Sequence, residues 1–435
     1  MARKSLATVD VTTTLLRTNS IVVEVGGSIK RITLDKLIDA INSGDEQLLR
    51  SVAWGVPIKQ ATQSSSNYGF VGNRTMWAEY KSHSGRYLVK NNGHAAKLAK
   101  NNSGIFADGT TLDETIGHVM TKFQRLYFRV QTDSVSNEPI LWMSQIPIGG
   151  HYIEQHVDGA YKASMSGSAL TSRSGVAPAG SKTINQFWAA AQVNGKDWGL
   201  SNYEFQKLLV MLLLSEYGNT NVQAVLGNGL TGTNNSSDYT TPLGFLNGST
   251  KSLGDSFGAI AHPWTTSGGV AVENATDVSV LGIENPYAQQ WEMRQGIYCG
   301  ISANAGQTGT EVFLYEGNRM PTSAELTTHP AGDYRQLVRP SSDGYVKSIA
   351  LGEFFDIFPA TVGGGSTSYW CDYFWQNISA GQLVLFGGRA YGGSGCGLVC
   401  AHSDYAWSYS YSYFGSRLAY YGKLTEMSGA ELVAE

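Results

Sequence analysis

The stretch HYIEQHVDG at 151–159 gathers His151, Glu154, His156 and Asp158, and imidazole with carboxylate is a common donor set for a divalent metal. The spacing is not H-E-x-x-H, and the Asp-Gly pair is an ordinary turn, so no metal site is expected there. Cys396 and Cys400, separated by three residues, match no zinc-ligand spacing, and no histidine pair completes a site. With Cys299 and Cys371 they are expected to be small thiols packed in a strand region. No nucleophile elbow, P-loop or dinucleotide fingerprint lies between a strand and a helix. The glycines of VGGGS at 362–366 suit turns better than a phosphate cradle. No catalytic residue and no cofactor is expected.

A different chemistry is written in SYSYSYF, residues 408–414. If the segment is a strand, Tyr409, Tyr411 and Tyr413 line one face and the three serines line the other. A core strand is one reading, although each buried hydroxyl would then need a partner. The other is a recognition surface, because tyrosine offers a large, rigid, amphipathic contact and serine adds adaptable hydrogen bonding, as in antibody paratopes.

The elements that would position such a surface are mostly strands. SIVVEV at 20–25 reads as a strand. TLDKLIDAINSG reads as a helix with Thr33 as N-cap, one apolar face of Leu34, Leu37, Ile38 and Ile41, and Gly44 as its stop. Residues 1–60 are therefore expected to form a small attachment module, and 61–118, rich in Ser, Asn, Gly and Lys, a β-rich spacer. KFQRLYFRVQT and PILWMSQIPIGG read as strands further on. SNYEFQKLLVMLLLSEYGN is the strongest helix, with Ser201 and Glu204 as a capping box and Gly218 closing it. Short strands joined by long loops then dominate, which implies an α+β fold with function carried by loops.

Composition bounds the partners. The 435 residues carry a net charge of −4, only 15% charged residues, 11% aromatics and 51 glycines. That balance favours a loop-rich globular protein and gives no electrostatic footprint for nucleic acid. The N-terminus lacks the apolar run of a signal peptide, and LLVMLLL at 208–214 is too short to span a bilayer, so cytoplasmic synthesis without membrane insertion is expected.

Four segments taken together resemble the variable proteins of diversity-generating retroelements. They are LWMSQIPIGG; GKDWGLSNYEFQKLLVMLLLSEYGNTNVQ; GIENPYAQQWEM at 282–293, where Met293 replaces the family's second tryptophan; and STSYWCDYFWQN followed by LVLFGG. The resemblance covers about 120–424. It implies a C-type lectin fold, related to that of formylglycine-generating enzymes, over 119–425, with a variable region at about 383–418 and a tail at 426–435. In that family the variable region is rewritten at template adenines, mostly in AAC codons, and ends near a GARL-like strand, here FGSRL at 414–418. Adenine substitution in AAC reaches Arg389, Tyr391, Gly392, Gly395, His402, Asp404, Tyr405, Tyr409, Tyr411 and Tyr413, which become the implied ligand-contacting positions. It never yields tryptophan, so Trp407 is implied to be scaffold, along with Trp198, Trp291 and Phe414.

The implied role is recognition of a host-cell surface receptor, protein or glycan, from a phage tail tip. The small N-terminal module would attach to tail or baseplate proteins, and a homotrimer would be the assembled form, located on the virion or alternatively on a bacterial surface. Three other readings compete. A structural tail or baseplate subunit would use the tyrosines at a fixed interface. A copper enzyme of the formylglycine-generating type would use Cys396 and Cys400, but LFGGRAY stands where that family has an RGGSW-like element. A calcium lectin would need triplets that are absent, since NEP at 137–139 and ENP at 284–286 have the wrong order.

Overall fold

The computed structural model describes residues 20–25, 28–59, 68–232, 245–266, 268–300, 311–377, 379 and 381–435. Helices and strands are mixed, the strands falling into several sheets, so the class is α+β.

The central helix, Tyr203–Tyr217, is buried on nearly every side, from Tyr203 and Phe205 through Ser215. A helix apolar all round must lie inside, and this one packs between sheets. Trp54 Nε1 donates to Ser215 Oγ at 2.9 Å on one flank, and Gln206 Nε2 donates to the Leu398 carbonyl at 2.7 Å on another. The expected Ser201/Glu204 capping box is not the cap. Asn202 fills that role, its side chain accepting from Phe205 N, and Glu204 is drawn instead into ion pairs with Lys207 and Arg335. Gly218 does close the helix, in the left-handed conformation at φ 54°.

Near the N-terminus, Ser20–Val25 and Ser28–Thr33 form an antiparallel hairpin that leads into the helix Leu34–Ser43. The side chains of Thr33, Leu34 and Leu37 lie outside the described residues, as do residues 60–67. Ile41 is buried with Leu48, Leu49 and Val52 against Ile140 and Trp142, while Ile38 is exposed.

Strands from both sides of residues 60, 118 and 425 share sheets. Trp54–Pro57 sits within a five-stranded antiparallel sheet beside Pro139–Ser144. Gly85–Val89 and His94–Ala99 belong to an eight-stranded sheet with His118–Phe123, His156–Gly159 and Leu418–Tyr420. Thr425–Met427 runs parallel to His94–Ala99, and the helix Gly429–Ala434, started by a Ser428/Glu431 capping box, buries Leu432 against that sheet. The expected spacer and tail are therefore structural parts of one sheet, because their apolar residues complete its core.

A seven-stranded mixed sheet carries the tyrosine loop. Its order is Pro359–Val362, Gly344–Ile349, Tyr373–Gln376, Ala401–Ser403, Leu385–Phe386, Trp291–Met293 and Phe414–Gly415. Beneath it lies a buried ionic cluster. Glu292 is bonded by Lys162 at 2.8 Å, Arg294 at 2.7 Å and Arg417 at 2.7 Å, and no member is more than 1% exposed. Burial opposes ionisation of Glu292, but Arg294, Arg417 and Lys162 together outweigh it and hold the carboxyl far below its ordinary range. Burial pushes the Lys162 ammonium down to about 8, with Glu292 working against the shift. Arg417 also donates to the carbonyls of Gly159 and Glu284, tying three separate segments to the strand after the tyrosine loop.

Candidate ligand-binding surface

The tyrosine row is a loop. Residues 404–413 form turns between Ala401–Ser403 and Phe414–Gly415, and the expected strand alternation is absent. The loop backbone is pinned at several points. Trp407 N donates to Gly381 O, Leu383 N to Tyr405 O, Ser181 N to Tyr411 O and Trp291 N to Tyr413 O, at 2.8–2.9 Å. Gln290 Nε2 donates to Ser412 O at 2.9 Å. The loop contributes only main-chain atoms to these bonds, and among its side chains the buried Trp407 adds an anchor, its Nε1 donating to Asn185 Oδ1 at 3.2 Å.

On that fixed path the rings gather into a cluster rather than a row. Tyr405 lies 5.9 Å from Tyr409 and 5.7 Å from Tyr411, and Tyr409 lies 5.8 Å from Tyr411. Tyr411 and Tyr413 stack at 5.1 Å with planes only 4° apart. The Arg389 guanidinium rests 4.6 Å over Tyr413 and 5.6 Å over Tyr391, joining the preceding loop to the cluster by cation–π contact. Tyr391, Tyr409 and Tyr411 are 47%, 43% and 40% exposed. Arg389, Gly392, Asp404, Tyr405 and Tyr413 are half-buried. Burial, reinforced by a hydrogen bond with Tyr413, raises the Tyr405 hydroxyl above the usual phenol range.

Three of the implied contact positions do not face outward. His402 is 7% exposed, stacked between Trp375 at 5.5 Å and Tyr405 at 4.6 Å and set edge-on to Trp291. The Asp404 carboxylate stands 3.0 Å from His402 Nδ1, but not in hydrogen-bond alignment. Gly395 is buried against Tyr373, and a Cβ there would sit 3.0 Å from the Tyr373 Cβ. At Gly392 a Cβ would come within 2.4 Å of Cys396 Sγ. These two glycines and His402 shape the floor of the surface, because steric closeness leaves no room for larger side chains. Trp198, Trp291, Trp407 and Phe414 are all buried.

The cysteines lie below. Burial pushes the Cys396 thiol up to about 12 and Cys400 well above its ordinary value, and Cys396 Sγ donates to the Arg389 carbonyl. Thiols held protonated in this way are poor soft-metal ligands and poor nucleophiles. Among the described residues no group of three His, Cys, Asp or Glu side chains is arranged to hold a metal ion. His151, Glu154, His156 and Asp158 disperse: Glu154 pairs with Arg125, His156 with Asp158, and His151 packs on Phe354.

No family model matches the chain, and no curated protein does. Among the described residues no helix is long and apolar enough to cross a membrane.

Three aromatic residues outside the sequence-derived set extend the surface. Tyr373 and Trp375 project from one face of the strand Tyr373–Gln376 with ring centroids 4.5 Å apart, and Tyr345 meets Tyr373 at 5.0 Å. Their period-two spacing in DYFWQ was the available signal.

Asp372 anchors this strand to the floor. Its buried carboxyl accepts from Val399 N at 2.8 Å and Cys400 N at 3.1 Å, and burial outweighs those bonds to push it up to about 8. An acid whose folded-state pKa exceeds its unfolded one stabilises fully below the unfolded value and loses that contribution as pH rises through the folded one. Stability is therefore expected to fall between about pH 4 and pH 8, by at most about 1.4 kcal/mol per unit from this group. Urea titrations at pH 5 and 8 should show a smaller fall for Asp372→Asn than for the parent. Identical profiles would exclude Asp372 as the cause.

Proposed function

We propose that this chain is a diversified receptor-binding protein with a C-type lectin fold. Its tyrosine-rich surface binds a ligand on a host cell, in the manner of the retroelement variable proteins its sequence resembles. The observation that carries the reading is the combination of exposed Tyr391, Tyr409 and Tyr411 with a loop backbone held through main-chain atoms. Such a loop tolerates side-chain replacement without losing its path. An aromatic patch facing solvent is otherwise an aggregation liability, and its presence favours a partner. Display in several copies at a phage tail tip, as a trimer, would let weak contacts combine through avidity.

The test is deep sequencing of the gene and its neighbouring DNA from a growing population. Substitutions concentrated at codons 389, 391, 404, 405, 409, 411 and 413, matching adenines in a nearby near-copy, support the proposal. An invariant segment without a near-copy would overturn it in favour of a fixed structural interface.

A further inference from the structure

We infer that the strand Tyr334–Val338 is an association edge, which pairs antiparallel with the same strand of a second copy of this chain. It is the outer strand of a three-stranded antiparallel sheet, beyond Ile297–Gly300 and Glu311–Tyr315. Main-chain bonding alternates along such a ladder, so the outward groups can be identified. Cys299 directs both of its main-chain bonds to Gln382, away from the middle strand, while Tyr315 N donates to Gly296 O at 3.0 Å. Along Glu311–Tyr315, Val312 and Leu314 are therefore the residues turned toward the outer strand, where they meet Leu337 and Arg335. The N–H and C=O groups of Tyr334, Gln336 and Val338 point to the open edge, and no described main-chain group pairs with them.

Free sheet edges recruit other strands, and proteins guard them with short strands, bulges, proline or lysine. Among the described residues, the other sheets of three or more strands end in strands of four residues or fewer, or at Asn102–Phe106, whose pairing carries a register shift. Tyr334–Val338 has five residues, an unbroken register and neither lysine nor proline. It is also held in place: Arg335 pairs with Glu204 and Asp356 behind it, and Leu337 packs on the central core. Its other face presents Tyr334 and Val338, 39% and 71% exposed, with Tyr334 edge-on to the buried Phe313 at 5.5 Å. The chain itself supplies the matching strand. A two-fold axis through Gln336 sets every edge-facing residue opposite another: Gln336 meets Gln336, and Tyr334 meets Val338. An aromatic ring opposite a β-branched side chain is a favourable cross-strand pair, and two carboxamides satisfy each other. The same register sets Asp333 opposite Arg339. The Arg339 side chain is buried, so the gain there is the avoidance of like charges rather than a new ion pair. None of these residues belongs to the tyrosine loop, so the inference is independent of the proposed diversification. A contact of this kind pairs copies two at a time, whatever further assembly the chain forms.

The experiment is sedimentation velocity on the full chain across a dilution series reaching about 100 µM, since one strand pair forms a small and transient interface. The parent should form assemblies with an even number of chains that halve on dilution, with a Kd of about 10 µM. Gln336→Lys and Gln336→Glu each place like charges opposite each other on the axis and should each weaken pairing by about tenfold or more. An equimolar mixture of the two variants should recover the parent assembly, because Lys then faces Glu. Gln336 is exposed, so both variants are expected to keep the parent melting temperature. Tyr409→Ser/Tyr411→Ser should leave the assembly unchanged. A parent that stays an odd-numbered species throughout, undiminished pairing in either Gln336 variant, no recovery in the mixture, or loss of pairing in the Tyr409/Tyr411 variant would each overturn the inference.

Discussion

Glu292→Gln is expected to destabilise the protein by about 3–5 kcal/mol, the largest effect of any single polar substitution in the sheet that carries the tyrosine loop. Its carboxylate is the common partner of Lys162, Arg294 and Arg417, and every one of these side chains is cut off from water. Removing the charge leaves three cations facing one another in a medium that screens them poorly. Repulsion then adds to the unrecovered desolvation of each. Chemical denaturation, read by tryptophan fluorescence, measures the loss. Replacing Lys162 by Met in the same molecule should restore part of it, since one of the uncompensated cations goes. Equal midpoints for parent and Glu292→Gln would mean that the cluster contributes nothing, and the account of how Arg417 holds the strand after the loop would fall with it.

The second large effect concerns binding. Replacing Tyr391, Tyr409 and Tyr411 together by Ser should reduce adsorption to the host surface by about 100-fold or more, since an aromatic anchor contributes about 2 kcal/mol or more when it sits in a well-packed contact. The same triple variant should lose little stability, because the three rings are substantially exposed. His402→Ala should do the reverse. Its ring fills space between Trp375, Tyr405 and Trp291, so truncation leaves a cavity and lowers stability by about 2–4 kcal/mol. Thermal melts beside adsorption assays separate the two outcomes. Unaltered adsorption by the triple variant would remove the tyrosines from the recognition surface.

The contrast between His402 and Tyr409 also shows what was legible in the sequence. Composition singled out the Ser/Tyr segment, because Ser and Tyr in alternation are unusual for a core, and the structure places that segment in a loop with exposed rings. It could not tell which members face outward, since that depends on long-range partners: Trp375 and Trp291 arrive from other strands of the sheet. The period-two pattern suggested a strand, yet turns at Ala406–Tyr409 and Tyr411–Phe414 break it, and the rings meet by clustering. The central helix was readable from its apolar run and from Gly218. Its start was not, because Ser201 and Asn202 are both competent caps and only the pull of Lys207 and Arg335 on Glu204 decides between them. Domain limits were the least legible. Polarity rises between 61 and 118, but the apolar residues of Gly85–Val89 and His118–Phe123 are partners only in space.

Leu418–Tyr420 occupies an interior slot of the eight-stranded sheet, between Trp198–Leu200 and His156–Gly159. The chain reaches that slot only after tracing the whole tyrosine loop. During synthesis, the gap between two strands made well over two hundred residues earlier stays open until the loop has emerged. A loop sequence that cannot span its anchors leaves the sheet unfinished and its apolar edges exposed to chaperones and proteases. If the loop is diversified as proposed, folding would act as a filter on its sequences: versions that distort the scaffold would be discarded before any of them met a ligand.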